Sequence, residues 1–493
     1  MLNLFNGQSV LLVGLGESGL ACARWMLAQG ATLTVIDSRE TPPGLQDLKS
    51  AHPDVALIHA LNPAQWNFNR VVVSPGLPPH HALMKSVVAA AHAHETPVDS
   101  ELDLFADALL ALKEQRGYEP KLVGVTGTNG KTTTVRMVEC LCRFAGQSVV
   151  AAGNISPAAL DALRVQLESD ALPQVWVLEL SSFQLHWTTR LRLDASTVLN
   201  ITQDHLDWHA DMQEYMHDKF RIFTPGAACV LNRDDELVCS AEVPVDAHRI
   251  TFGTSAPVGV GDYGLTREGG MLWLSQLIGD IEAPASSGRR KKVEVIEPTQ
   301  KLLMPTEALL VAGLHNASNA LAALALCESL GLPMAKLLHG LRNYRGEPHR
   351  VEHVLQLDGI DFFDDSKGTN VGATVAAILG LARPTVLIAG GDGKGQNFAP
   401  LTEPVSRHCK AVVLIGKDAE RMAQALGATG VPCVQAQTLQ HAVSMAMEHS
   451  VTGDCVLLSP ACASLDMFNN YVHRAEVFVQ AVRDLAEDRG QPC

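Results

Sequence analysis

A glycine-rich segment that could bind phosphate begins at Thr126. It reads Thr126-Gly127-Thr128-Asn129-Gly130-Lys131-Thr132-Thr133, and it stands between an apolar run and a helical pattern. Backbone N–H groups exposed by two glycines, with the positive end of the helix, can surround phosphate oxygens. Lys131 supplies a cation for terminal phosphates, and the two threonines after it supply hydroxyls suited to Mg²⁺. The segment therefore predicts a nucleoside triphosphate site, although Val125 replaces the leading glycine that is usual in such loops.

A second glycine motif lies near the N-terminus, again between an apolar run and a helical pattern. It reads Gly14-Leu15-Gly16-Glu17-Ser18-Gly19, and Asp37 ends the next apolar run. The spacing is typical of a loop that binds a diphosphate, with the acid placed for ribose hydroxyls. An NAD(P) cofactor, another nucleotide-linked ligand and a purely structural loop all stay open. The turn Ser74-Pro75-Gly76 follows a further apolar run and could add backbone donors or be a plain turn.

Polar residues also follow apolar runs in the middle of the chain. Glu179 ends one such run, and a carboxylate there needs either Mg²⁺ at the phosphate loop or hydrogen bonds as partners. Asp204 and His205 follow the next run and could complete a metal or substrate site. Lys219 stands inside a helical pattern and, by itself, predicts a surface lysine. The pair His315-Asn316 precedes a helical pattern and could cap that helix or contact a nucleotide base.

Three polar turns follow apolar runs in the last third of the chain. They are Asp-Asp-Ser-Lys-Gly-Thr-Asn at 364–370, Gly-Gly-Asp-Gly-Lys at 390–394 and Ser-Pro-Ala-Cys-Ala-Ser at 459–464. Because the carboxyl ends of parallel strands meet at one edge of a sheet, we expect the turns to converge on an anion-binding rim. Such a rim suits a small dicarboxylate or amino acid better than a bulky polymer.

Alternating strand and helix patterns must position these residues. Strands are predicted at 9–13, 32–36, 70–73, 121–125, 175–180, 196–199, 385–389, 411–415 and 455–458, and helices at 21–29, 212–223 and 319–330. The segment 106–120 is helix-like, then charged and then turn-rich, which predicts a linker before the phosphate loop. Strands with loops are predicted at 243–304. This alternation predicts an α/β protein with parallel, doubly wound sheets. The length of 493 residues suggests three domains.

Composition narrows the class of protein. The net charge of −15 argues against a nucleic-acid partner, and the short basic run Arg289-Arg290-Lys291-Lys292 predicts a surface loop. The eleven cysteines are scattered without a CxxC pair, which predicts reduced core residues. No secretory signal and no apolar segment of membrane-spanning length is visible, so we expect no membrane insertion and a cytoplasmic location.

Taken together, the motifs resemble those of the Mur ligase family over nearly the whole chain. These are ATP-dependent amide-forming enzymes of peptidoglycan precursor synthesis, and their phosphate loop also lacks the leading glycine. The resemblance implies a Rossmann-like UDP-binding domain at 1–98, a central P-loop ATPase-like α/β domain at 99–346 and a C-terminal Rossmann-like α/β domain for the amino acid at 347–493. The segment 179–185 and the three C-terminal turns are most similar to the D-glutamate-adding members.

The resemblance also implies roles for individual residues. Those expected to bind ATP are Thr126, Gly127, Thr128, Asn129, Gly130, Lys131, Thr132, Thr133, Asn316, Arg350 and Asp365. Those expected to hold Mg²⁺, at two sites, are Thr132, Glu179, His205 and a carbamylated Lys219. Those expected to bind the UDP-linked substrate are Glu17, Ser18, Asp37, Ser38, Arg39, Gly76 and Asn154. Those expected to bind D-glutamate are Lys367, Thr369, Lys394, Ser464 and Tyr471, the last of which is commonly Phe in the family. The catalytic residues would be Lys131, Glu179, His205 and Lys219.

The implied reaction has two steps. The carboxylate of UDP-N-acetylmuramoyl-L-alanine takes the γ-phosphate of ATP, and the amine of D-glutamate then displaces phosphate from the acyl phosphate. His205 is a candidate for the base that keeps the amine neutral. We expect a monomer whose C-terminal domain closes over the site. Two alternatives stay open, namely a folylpolyglutamate synthase-like ligase, against which the first domain argues, and an NAD(P)-dependent oxidoreductase built on Gly14–Gly19.

Overall fold

The structure is a computed structural model that describes residues 2–279, 297–311, 313–381 and 383–491. The basic run at 289–292, predicted to be a surface loop, lies outside the described residues.

The first unit is a five-stranded parallel sheet with helices around it. Its strands, in the spatial order β3-β2-β1-β4-β5, are β1 Ser9–Val13, β2 Thr32–Ile36, β3 Ala56–Ile58, β4 Arg70–Val73 and β5 Val98–Ser100. Its helices are α1 Glu17–Ala28, α2 Leu45–Ala51, α3 Ala82–Ala93 and α4 Glu101–Arg116. Val10 and Val13 are fully buried, as expected for apolar strands that are covered on both faces.

The central unit has a six-stranded parallel sheet with the spatial order β11-β10-β9-β6-β8-β7. Its strands are β6 Lys121–Thr126, β7 Val149–Gly153, β8 Val175–Glu179, β9 Ala195–Val198, β10 Ala228–Asn232 and β11 His248–Phe252. Its first helices are α5 Lys131–Phe144, α6 Ala159–Glu168, α7 Ser182–Trp187, α8 Met212–Phe220 and α9 Glu236–Cys239. A small antiparallel sheet follows, formed by β12 Tyr263–Glu268, β13 Met271–Ile278 and β14 Thr299–Pro305. The helices α10 Leu314–Ser329 and α11 Met334–Asn343 complete the unit.

The last unit has a six-stranded sheet with the spatial order β15-β16-β20-β17-β18-β19, parallel except for β15. Its strands are β15 Glu352–Leu357, β16 Ile360–Asp364, β17 Thr385–Gly390, β18 Cys409–Ile415, β19 Cys433–Gln435 and β20 Cys455–Leu458. Its helices are α12 Val371–Leu381, α13 Thr402–His408, α14 Ala419–Leu426, α15 Leu439–Glu448 and α16 Tyr471–Asp488. Across the three units, short 3₁₀ helices lie at Pro63–Gln65, Thr306–Ala308, Ala399–Leu401 and Gly427–Thr429.

The predicted α/β fold class is confirmed. The segment 106–120, predicted to be a helix-like and then turn-rich linker, belongs to helix α4 up to Arg116 and leads from β5 to β6. Helix α4 begins with a Ser100–Asp103 capping box and buries Leu102, Phe105 and Leu112 in the core shared by the first two sheets. The expectation that His315-Asn316 precedes its helix is wrong, because the pair lies inside the first turn of α10.

The predicted domain bounds stay a prediction. β5 belongs to the first sheet although it runs two residues beyond the predicted boundary at 98. Ten cysteines of the described residues form no disulfide. Within the described part of the chain, no helix combines the length and apolar character that crossing a membrane would need.

Candidate functional site

A cavity of about 540 Å³ lies where the carboxyl ends of the central strands face the last unit. A smaller cavity of about 80 Å³ adjoins it and shares Asn129, Gly130, Arg350 and Lys367 with it. The predicted site residues that line the larger cavity are Thr128, Asn129, Gly130, Lys131, Thr132, Asn154, Glu179, His205, Arg350, Lys367, Thr369 and Lys394. Those that add to the smaller cavity are Thr133, Asn316 and Asp365.

The phosphate loop connects β6 to α5 with glycines in conformations that other residues rarely adopt. Gly127 has a φ of 153° and Gly130 a φ of 83°, and a side chain at Gly130 would meet Asn319 Oδ1 at 2.8 Å. Lys131 Nζ folds back over the loop and donates to the carbonyls of Gly127 and Thr128, both at 2.9 Å. Removal from water lowers the pKa of Lys131, against the influence of Glu179. An anion in the loop would exchange those carbonyl contacts for a stronger charge-assisted one.

Glu179 at the end of β8 is buried and accepts two side-chain hydrogen bonds. Thr132 Oγ1 donates to Oε2 at 2.8 Å, and Asn154 Nδ2 donates to Oε1 at 2.8 Å. Asn154 follows β7 at Gly153, whose φ of 111° turns the chain so that the Asn154 N–H donates to the Glu179 carbonyl at 2.8 Å. Three elements thus bring a carboxylate, a hydroxyl and an amide together beside the phosphate loop.

Lys219 is buried, with 2% of its surface exposed, so the surface lysine that its helical pattern predicts is wrong. Its Nζ donates to the Gly127 carbonyl at 3.0 Å and lies 4.6 Å from the centroid of the Tyr215 ring. Burial lowers the pKa of Lys219 well below its usual value, and the Lys131 cation lowers it further. The amine is therefore more readily neutral than that of an ordinary lysine.

His205 enters the larger cavity from a left-handed backbone position with a φ of 56°. Partial removal from water lowers the pKa of His205, and the Lys131 cation lowers it further, whereas the Asp204 carboxylate acts in the opposite direction. The lower pKa favours the neutral imidazole, which can accept a proton or bind a metal ion through one ring nitrogen.

The predicted residues of the first unit form a separate surface. Asp37 is buried, and its carboxylate accepts from the Leu15 N–H and from the Arg39 guanidinium, each at 2.8 Å. Burial raises its pKa, but the hydrogen bonds from Arg39 and Leu15 outweigh that effect and lower the pKa overall. The residues of this set that line neither cavity are Glu17, Ser18, Asp37, Ser38, Arg39 and Gly76. Glu17 nevertheless accepts from Ser156 Oγ, two residues beyond Asn154, so this surface borders the cavity.

The predicted D-glutamate residues lie on one side of the larger cavity, in the last unit. Lys367 Nζ lies 3.8 Å from the centroid of the Tyr471 ring, and the buried Ser464 is next to the lining residue Ala463. Ser464 and Tyr471 themselves are not among the residues that line the cavity.

Asp365 and Asn370 are two polar residues of the last unit that lie close to the phosphate loop. Burial raises the pKa of Asp365 to about 7, and Ser459 Oγ donates to it at 2.6 Å. Asn370 Nδ2 donates to Asn129 Oδ1 at 3.0 Å and joins the last unit to the phosphate loop. The sequence predicts that the turn containing Asn370 belongs to an anion-binding rim, but it does not indicate this contact.

A phosphate loop on one parallel sheet shares its cavity with lysines on the turns of a second sheet, an arrangement suited to an ATP-dependent ligase. The chain matches three family models, described as Mur ligase MurD-like, N-terminal domain (residues 8–95), Mur ligase middle domain (125–327) and Mur ligase, glutamate ligase domain (349–462). Proteins of Burkholderia mallei (strain SAVP1) and Burkholderia pseudomallei (strain K96243), each named UDP-N-acetylmuramoylalanine–D-glutamate ligase, are 54% identical to it over 98% of both chains. The chain belongs to the Mur ligase family, as its motifs predict.

Solved structures share the fold. MurF from Acinetobacter baumannii aligns over 98% of this chain and 91% of its own with a TM-score of 0.58 and 17% identity. UDP-N-acetylmuramate-alanine ligase MurC from Thermotoga maritima aligns over 97% of this chain and 99% of its own, with a TM-score of 0.54 and 19% identity. The Mycobacterium tuberculosis folylpolyglutamate synthase has a TM-score of 0.53 and 19% identity but covers only 78% of this chain and 94% of its own. The relatives that are 54% identical over 98% of this chain bear the name of a D-glutamate ligase, and they favour neither the folate-type alternative nor an NAD(P)-dependent oxidoreductase.

Proposed function

We propose that the protein joins D-glutamate to UDP-N-acetylmuramoyl-L-alanine at the expense of ATP, a step of peptidoglycan precursor synthesis. The observation that carries the proposal is a cavity lined both by Lys131 and Glu179 of the central unit and by Lys367 and Lys394 of the last unit. Its relatives with 54% identity bear the name of that reaction. We place the reaction in the cytoplasm and expect a monomer.

The first step transfers the γ-phosphoryl group of ATP to the substrate carboxylate and gives an acyl phosphate and ADP. Phosphoryl transfer depends mainly on position and on neutralisation of charge. The loop N–H groups and Lys131 supply both, with Thr126 to Thr133 around the phosphates. Arg350, Asn316 and Asp365 border the adjoining smaller cavity and would hold the rest of the nucleotide.

The second step forms the amide bond. The amine of D-glutamate attacks the acyl carbon, and phosphate leaves with the electrons of the cleaved C–O bond. The amino acid would be held by the cations of Lys367 and Lys394, with Thr369, Ser464 and Tyr471 around it. The attacking amine must lose a proton, and the neutral His205 is our candidate for the acceptor.

The donor set of the site fits Mg²⁺. Thr132 and Glu179 offer hydroxyl and carboxylate oxygens, the hard ligands that this ion prefers. A second ion at His205 and Lys219 would occupy the ring nitrogen that a base needs, so these two roles of His205 are alternatives. The ion also requires that Lys219 become a carbamate, because Mg²⁺ prefers oxygen ligands and a lysine side chain offers none. Bound Mg²⁺ would neutralise charge on the phosphates.

The UDP part of the substrate would lie on the first unit, around Glu17, Ser18, Asp37, Ser38, Arg39 and Gly76. Asn154 lines the larger cavity, and Glu17 contacts Ser156 close by. A substrate bound there could therefore extend its carboxylate into the cavity.

The variant Lys131→Ala tests the phosphate role. We expect ADP formation to fall at least about 100-fold, because the loop loses its cation. Calorimetric binding of UDP-N-acetylmuramoyl-L-alanine should persist. Lys336→Ala, an exposed lysine of the same unit, is the matched control and should behave as the wild type. Normal ADP formation by Lys131→Ala would refute the assignment.

A further inference from the structure

The segment after His205 contains Trp208, whose indole contacts the first unit. Trp208 has only 4% of its surface exposed, and its Nε1–H donates to the Pro75 carbonyl at 3.1 Å. Pro75 precedes Gly76, which stands in the proposed surface for UDP. A side chain of the central unit therefore fixes a turn of the first unit.

The indole is held in place by α7. It stacks on the Phe183 ring at 4.6 Å between centroids with an interplanar angle of 22°. The His186 ring meets it edge-on at 5.2 Å. Contacts from two residues of one helix fix the orientation of the ring, so the N–H points at a defined place.

The backbone from His205 to His209 forms a tight turn that is held by hydrogen bonds to the His205 carbonyl. The N–H groups of Trp208 and His209 both donate to the His205 carbonyl at 3.0 Å. His205 itself has a left-handed φ of 56°. The Trp208 indole and the His205 imidazole therefore belong to one compact unit.

The turn is anchored in the central unit through His209, which has 1% of its surface exposed. Its Nε2 lies 2.9 Å from Ser182 Oγ at the start of α7, and its Nδ1 lies 3.3 Å from Asp218 Oδ2 on α8. Trp208 thus extends toward the first unit from a base that two helices hold.

We propose that Trp208 is a positioning residue for the UDP-linked substrate, because its indole N–H fixes the Ser74–Gly76 turn relative to the catalytic cavity. The inference rests on the proposed function. The substrate would bind with its UDP part on the first unit and its carboxylate in the central cavity. Its alignment therefore depends on the distance between the two surfaces, and small misplacements reduce reaction rates.

Trp208→Phe tests this role because it keeps an aromatic ring against Phe183 and removes the N–H donor. We expect the dissociation constant of UDP-N-acetylmuramoyl-L-alanine, measured by calorimetry without ATP, to rise about three- to tenfold. The KM for that substrate should rise in parallel, and the KM values for ATP and D-glutamate should stay unchanged. Trp273→Phe is the matched control, because it removes an indole N–H that donates to the Glu268 carbonyl in the small antiparallel sheet.

The outcomes separate the inference from the proposed function. Wild-type affinity for the UDP-linked substrate in Trp208→Phe would overturn the inference and leave the proposed function intact. An equal rise of all three KM values, with a lower melting temperature, would show a general structural role and also overturn it. If the wild type itself does not bind the UDP-linked substrate, the proposed function fails and the inference fails with it.

Discussion

At the scale of single residues, Lys219 is the side chain whose chemistry depends most on its surroundings. It is buried next to the cation of Lys131, and both conditions favour its neutral form. A neutral amine can attack the carbon of CO₂, form an N–C bond and release a proton. The resulting carbamate would carry a negative charge that the Lys131 cation attracts, and it would provide oxygen ligands for a metal ion.

Replacing Lys219 with Arg tests this chemistry, because a guanidinium stays protonated and does not form the carbamate. We expect a loss of activity of at least about 100-fold. In ¹³C-bicarbonate the wild type should give a protein-bound carbamate resonance that the variant lacks. Lys336→Arg should retain both resonance and activity. A fully active Lys219→Arg variant, or a wild type without the resonance, would speak against carbamylation.

Glu101 provides a prediction on pH. It has 1% of its surface exposed and accepts from the Leu160 N–H at 3.2 Å, where α6 begins. Burial raises its pKa to about 7, with Asp161 acting in the same direction. Because the folded state holds the proton more tightly than the unfolded state, this group reduces stability as the pH rises from about 4.5 to about 7.

Glu101→Gln removes that titration. We expect its free energy of unfolding, relative to the wild type, to improve by up to about 3 kcal/mol between pH 5 and pH 8. Urea unfolding at both pH values measures the change. Glu114→Gln, an exposed glutamate on the same helix, should show no such trend. Parallel behaviour of Glu101→Gln and the wild type across this range would contradict the prediction.

At the scale of elements, the turn after β7 places Asn154 beside Glu179. Gly153 pairs with Glu179 across parallel strands, and a Cβ on Gly153 would overlap the Glu179 carbonyl oxygen. Its φ of 111° is also one that other residues rarely adopt. The turn therefore depends on glycine for both space and conformation.

Gly153→Ala should lower the free energy of unfolding by about 3 kcal/mol or more, because clash adds to backbone strain. Activity should fall as the contact of Asn154 with Glu179 is displaced. Gly146→Ala is the control, since Gly146 has a similar φ of 88° but open space around its Cβ. It should lower stability by only about 1 kcal/mol. Equal stability losses in the two variants would show that the predicted clash is relieved.

Elements with strong local patterns could be predicted from sequence, and those decided by packing could not. The strands Ser9–Val13, Thr32–Ile36 and Cys455–Leu458 were predicted with the observed bounds, because buried parallel strands are continuous apolar runs. The helices α1 and α10 begin earlier than predicted, because their first turns carry polar residues.

At the scale of the whole molecule, the site depends on contacts between units. Trp208 joins the central unit to the turn at Pro75, and Asn370 joins the last unit to Asn129 of the phosphate loop. Helix α4 packs in a core shared by the first two sheets. These contacts set the distances over which three substrates would have to meet.

The same contacts explain which site residues the sequence could indicate. Lys131 and Glu179 belong to local motifs whose chemistry can be recognised in a short segment. Trp208 and Asn370 acquire partners more than one hundred positions away, so no local pattern indicates them. The burial of Lys219 is likewise decided by how α8 packs against the phosphate loop.

The most direct test of the account is phosphate release from ATP with the purified protein and UDP-N-acetylmuramoyl-L-alanine, with D-glutamate compared to L-glutamate and D-aspartate. We predict release that requires the UDP-linked substrate and is fastest with D-glutamate, accompanied by one new amide product per phosphate in mass spectrometry. Phosphate release that is independent of the amino acid, or release without the amide product, would contradict the account.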